Sequence, residues 1–96
     1  MNPVSDTIKF HYVYILRSEK TGDWYSGCTS DLRKRFKQHN TGEYNSWTKS
    51  RAPFKLIYYE AYKHLKDAYA REKQIKSGPG KRYMHERLKR FLSLTG

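Results

Sequence analysis

The chain has 96 residues, with 20 Lys and Arg against 9 Asp and Glu for a formal charge of +11, and it is 36% hydrophobic and 16% aromatic. That length makes one domain with a modest core, so a site belongs at its edge or in a shallow cleft. The charge exceeds what solubility needs and predicts a polyanionic partner held less tightly as salt rises.

A disordered basic tail is excluded, because the basic residues interleave with Tyr, Trp, Phe and Ile along the whole chain. A membrane-surface helix is excluded too, because no basic segment carries a wide continuous apolar face.

Residues 1–9 read as a loose leader and residues 10–94 as the domain. Residues 10–17 (FHYVYILR) are rich in β-branched and aromatic residues and predict a strand apolar on both faces. A turn at 18–23 contains Gly22, and residues 24–28 (WYSGC) complete an antiparallel hairpin. Thr29, Ser30 and Asp31 open a helix by capping its first amides, and the helix runs to a stop at 40–42, where Gly42 sits. Residues 41–53 form a polar loop in which basic and aromatic residues alternate. A third strand covers 54–62. A second helix covers 65–77 and ends at Gly78-Pro79-Gly80. A third covers 81–94, amphipathic through Met84, Leu88, Phe91 and Leu92. The order ββαβαα predicts an α+β fold, a small three-stranded antiparallel sheet flanked by three helices.

Other features narrow the class. Cys28 is the single cysteine, so no internal disulfide forms and a cytoplasmic setting is expected. The four histidines lack zinc-finger spacing with it. The apolar run at 12–16 is too short for a signal peptide, and no segment reaches membrane-spanning length.

Two charged residues stand where apolar ones belong. Leu32, Arg35, Phe36 and His39 share one helical stripe, so Arg35 and His39 lie on or beside the core-facing side. Leu65, Ala68, Glu72 and Ile75 share another, and a half-buried Glu72 requires a cation or a metal. In the hairpin, a register whose paired numbers sum to an odd value such as 41 puts Tyr14 and Tyr25 on one face. An even sum puts them on opposite faces, and both registers are open to this sequence.

Tyr12-Val13-Tyr14, ten intervening residues and then Tyr25-Ser26-Gly27 resemble the loose form of the GIY…YIG signature. Arg35 within LRKR, His39 within KQHN and Glu72 within AREKQIK follow in the order of that family, across about residues 10–92. The segment SWTKSRAPFKLIYYE is similar to that of the short, single-domain bacterial branch of GIY-YIG nucleases, and the whole resembles the N-terminal nuclease domain of excinuclease C. The resemblance implies a metal-dependent endonuclease acting on DNA, in repair or recombination, and does not exclude RNA as a partner. It implies catalytic roles for Tyr14, Tyr25, Arg35, His39 and Glu72.

Chemistry assigns the parts within that resemblance. Arg35 stabilises charge on the non-bridging oxygens. Glu72 ligates Mg2+ or Mn2+. Tyr14 accepts a proton from water, and Tyr25 and His39 position or relay. Lys34, Trp47, Lys49, Arg51, Lys76, Lys81 and Arg82 are the expected nucleic-acid contacts, Trp47 by stacking on an unpaired base. The asparagine that some members carry after the glutamate helix is absent, since the stretch there reads SGPGKRYMHERLKR.

Plain structural readings compete with each of these. The tyrosines and Cys28 suit a core, and so does Trp24. Arg35 and Glu72 suit a structural salt bridge. His39 suits a helix C-terminus. A non-catalytic nucleic-acid-binding module on the same scaffold is the alternative to an enzyme.

Overall fold

A computed structural model describes residues 9–94, so all of the expected leader except Lys9 lies outside the described residues. β1 (His11–Ser18) is the central strand of a sheet ordered β2-β1-β3, with β2 (Trp24–Thr29) and β3 (Phe54–Tyr62) antiparallel to it on either side. A central strand is covered on both faces, and Val13, Tyr14, Ile15 and Leu16 are all fully buried as the two-sided apolar run requires. Alternation sends Val13 and Ile15 to a core with Ala68, Ile75 and Met84, and sends Tyr14 and Leu16 to a second core with Phe54.

α1 (Leu32–Thr41) lays Leu32 and Phe36 on the Tyr14 face. Asp31 caps its start by accepting from the Lys34 amide at 3.1 Å, and Gly42 ends it in the left-handed conformation at φ 77°. α3 (Leu65–Lys76) and α4 (Gly78–Arg87) cover the Val13 face through Ala68, Ile75 and Met84. The described residues thus form a three-stranded antiparallel sheet with five helices, two more than the sequence pattern predicts. α2 (Ser46–Lys49) is a single turn within the polar segment, capped by Asn45. The expected third helix is two, α4 and α5 (Lys89–Leu94).

Gly78-Pro79-Gly80 opens α4 as well as following α3. Ser77 caps the new helix by accepting from the Gly80 amide at 3.1 Å. Proline is tolerated in a first turn because the amide it lacks would have no helical partner. Gly80 lies so close to the end of α3 that a Cβ there would collide with the Gln74 carbonyl. The stripe reading of α3 holds at Ala68 and Ile75, whereas Leu65 is 39% exposed at the helix start.

The hairpin turn is tied to the segment leading into β3. The buried Ser18 hydroxyl donates to the Arg51 carbonyl at 2.6 Å, and the Arg51 side chain pairs with Asp23 at 3.1 Å. On the α3 face, Glu60 accepts from Tyr58 at 2.6 Å, from Tyr62 at 2.9 Å and from Arg71 at 2.6 Å. This cluster satisfies a half-buried carboxylate and pins β3 to α3.

Candidate functional site

β1 and β2 pair Tyr14 with Gly27 and Leu16 with Tyr25, so the register sum is 41 and the two tyrosines share a face. Their ring centroids are 6.4 Å apart. Tyr14 lies across its cross-strand partner so closely that a Cβ on Gly27 would run into the Tyr14 hydroxyl and ring. A glycine is required there by the approach of a side chain, whatever its own backbone angles.

His39 reaches this face from the last turn of α1. Its Nε2 is 2.9 Å from the Tyr14 hydroxyl, its ring is fully buried, and its Nδ1 has no partner among the described residues. Burial first, then the Arg35 charge, holds the imidazole down to about 4, so His39 is neutral at physiological pH. Burial pushes the Tyr14 hydroxyl well above the usual tyrosine range, against the pull of Arg35. Tyr25 is pushed up to about 12 by burial and by Tyr44, with Asn45 opposing and Glu72 adding to the rise. Both tyrosines are therefore neutral hydroxyls in the resting site.

The depressed imidazole makes stability depend on pH. The folded pKa lies below the unfolded value of roughly 6.5, so the unfolded chain binds the extra proton and stability is complete only above that value. It falls as pH drops from about 6.5 toward 4, by at most about 1.4 kcal/mol per pH unit from this group. Urea titrations at stepped pH read this slope, and His39→Gln should flatten it.

Arg35 is half-buried beside these rings. Nη1 donates to the Tyr44 hydroxyl at 3.0 Å and to the Cys28 carbonyl at 3.4 Å, and the guanidinium carbon lies 4.3 Å from the Tyr44 ring centroid. Among the described residues no carboxylate pairs with it. Glu72 pairs instead with Lys76 on its own helix, Oε2 to Nζ at 3.0 Å, and keeps only 19% of its side chain exposed. It comes from the opposite face of the sheet, yet its charge reaches Tyr25 and Cys28 across the edge strand β2. The structural salt bridge between Arg35 and Glu72 is thus not formed.

Among the described residues no group of three His, Cys, Asp or Glu side chains could hold a metal by itself. A lone half-buried carboxylate suits an ion such as magnesium, which keeps several waters.

Of the other residues singled out by sequence, Trp47 is 39% exposed and its centroid is 5.8 Å from that of Tyr25. Lys76 and Lys81 line the same hollow as Tyr25, and Lys34 lines a hollow with Arg35. Lys49 and Arg82 are exposed but line neither of these. Arg51 is engaged, paired with Asp23 and stacked over Trp47.

Tyr44, which sequence reasoning passed over, holds Arg35, and its ring stands edge-on to Tyr25 at 6.2 Å. Its one signal was its place in the aromatic and basic alternation of the loop. Trp24, expected in the core, packs half-buried against the Val13 cluster and also stacks on His85.

Comparison with known proteins identifies the family and the fold. The model of the GIY-YIG catalytic domain matches residues 10–85. A UPF0213 protein of Clostridium perfringens is 42% identical over 66 residues, 69% of this chain and 70% of that one. A UPF0213 protein of Syntrophus aciditrophicus is 46% identical over 68 residues, 69% of this chain and 76% of that one. The solution NMR structure of the UPF0213 protein BH0048 from Bacillus halodurans superposes with a TM-score of 0.51 at 34% identity, covering 80% of this chain and 83% of that one. The signature order, the sheet and these relatives converge: the chain belongs to the GIY-YIG family of nuclease domains, alongside the UPF0213 proteins.

Proposed function

We propose that the chain is a divalent-metal-dependent endonuclease that hydrolyses phosphodiester bonds in DNA, in repair or recombination. The observation that carries this reading is Arg35, a half-buried guanidinium with no carboxylate partner among the described residues, set beside two tyrosines and a neutral histidine. A cation so placed calls for an anion. A chain of charge +11 draws nucleic-acid phosphate to it.

Arg35 then stabilises the charge that grows on the non-bridging oxygens. Tyr14 takes a proton from the attacking water while neutral His39 accepts the hydroxyl proton of Tyr14 through Nε2. Tyr25, kept protonated, donates a hydrogen bond to the phosphate or the water. Glu72 would hold Mg2+ or Mn2+, which when bound polarises the phosphate and stabilises the leaving oxygen. Lys34, Lys49, Lys76, Lys81 and Arg82 engage the phosphate backbone, while Arg51 serves by holding Trp47.

Native protein is expected to nick supercoiled or branched DNA with magnesium or manganese and to stop in a chelator. Glu72→Gln should slow nicking by about a hundredfold or more without weakening DNA binding, because a negative charge is removed beside the phosphate. Undiminished nicking by folded Glu72→Gln would sink the metal assignment. One observation favours the non-catalytic binding module: Glu72 is already ion-paired, 3.0 Å from Lys76. Tight binding with no cutting of any substrate would select it.

A further inference from the structure

Two hollows meet at the tryptophans beside Tyr25. One, of about 330 Å³, is lined by Trp24, Tyr25, Trp47, Lys76 and Lys81, among others. The other, of about 440 Å³, shares Trp24, Trp47 and Lys81 and adds Arg51 and His85. Those additions back the two indoles. His85 stacks on Trp24 with centroids 3.8 Å apart and planes at 8°, and the Arg51 guanidinium carbon lies 3.9 Å from the Trp47 centroid.

One face of each indole is covered in this way. The first hollow, which neither Arg51 nor His85 lines, is the space both rings share with Tyr25. Arg51 is itself held by Asp23 at 3.1 Å, so the Trp47 platform is oriented before any ligand arrives. Lys81 borders both hollows and pairs with no carboxylate among the described residues.

We infer that the first hollow is a nucleobase subsite. It takes one base flanking the phosphate at Arg35 and stacks it on Trp47 and Trp24, while Lys81 holds the adjoining phosphate. The volume falls at the lower end of the roughly 300–1,000 Å³ typical of ligand pockets, which suits one base. Stacking tolerates every base, because each presents a π-face, so the subsite supplies affinity and positioning more than sequence choice. Trp47, 5.8 Å from Tyr25 between centroids, couples the seated base to the reacting end of the site. This inference rests on the nuclease reading above.

The test compares pentathymidylate with an abasic pentamer of equal charge, at near-physiological salt and without divalent ion. Native protein and Trp47→Phe should bind the base-bearing strand about tenfold or more tighter than the abasic one. Trp47→Ala should lose most of that gain, and Lys81→Ala should weaken both strands alike. In Trp47→Phe, Trp24 is the remaining tryptophan of 2, and its emission should be quenched by the base-bearing strand alone. Equal binding of both strands by native protein, or a full gain retained in Trp47→Ala, would overturn the subsite. Cutting is assayed separately with metal. A base-dependent gain in a protein that never cuts removes the nuclease reading and leaves the subsite, and cutting without the gain does the reverse.

Discussion

Arg35→Ala is expected to lower the nicking rate by about 10²–10³-fold while leaving a folded protein, since that is the usual cost of removing one preorganised donor to developing negative charge. The separation of activity from stability follows from what Arg35 touches. Its side chain donates to the Tyr44 hydroxyl and the Cys28 carbonyl, and Glu72 is paired with Lys76. Removing the guanidinium therefore strands no buried carboxylate. It costs about 1 kcal/mol of hydrogen bonding, which for a domain of this size shifts Tm by about 4–8 °C. A structural salt bridge would behave otherwise, because breaking a buried pair costs about 3–5 kcal/mol. Arg35→Lys should recover little, since lysine keeps the charge but loses the planar fork. Thermal melts and single-turnover nicking on the same preparations check this. A melt collapsed by 15 °C or more, on the order of the buried-pair cost, would return Arg35 to a structural role.

Tyr14→Phe is expected to lose about 10²–10⁴-fold in rate, the usual contribution of a positioned base, and also to destabilise the fold. The hydroxyl is 2.9 Å from His39 Nε2, and Nδ1 of that fully buried ring has no partner among the described residues. Without the hydroxyl, Nε2 loses that hydrogen bond as well. Leaving a buried polar atom unsatisfied costs about 1–3 kcal/mol. The phenyl ring still fits over Gly27, so packing is otherwise kept. Rate at saturating DNA and the urea midpoint are the paired measurements. A variant that cuts normally yet unfolds at lower urea would make Tyr14 a core residue that supports His39 and nothing more.

Much of the architecture is legible in the sequence. The apolar run at 10–17 reads as a strand covered on both faces because it has no polar face to give to water, and the structure makes it the central one. Arg35 and His39 stand out on α1, and Glu72 on α3, because helical periodicity assigns a face to each residue and these faces are otherwise apolar. The capping chemistry of Asp31 and the stop at Gly42 follow from local backbone needs alone. Gly78-Pro79-Gly80 was less legible, since the same residues end one helix and begin another. Gly80 is required by the Gln74 carbonyl, a contact that depends on how α3 meets α4.

What the chain determined by itself was therefore periodic or local: strands, helices, caps, charge, and which side chains turn toward a neighbour. Tertiary structure alone decided the hairpin sum of 41 that puts Tyr14 and Tyr25 together. It also decided that Arg35 takes Tyr44 and not Glu72, and that Trp24, packed at the rim of the Val13 core, stacks on His85. A residue's face is set within one turn of helix or two positions of strand. Its partner is set by the distance between elements far apart in the chain, which emerges only when the sheet and its helices pack.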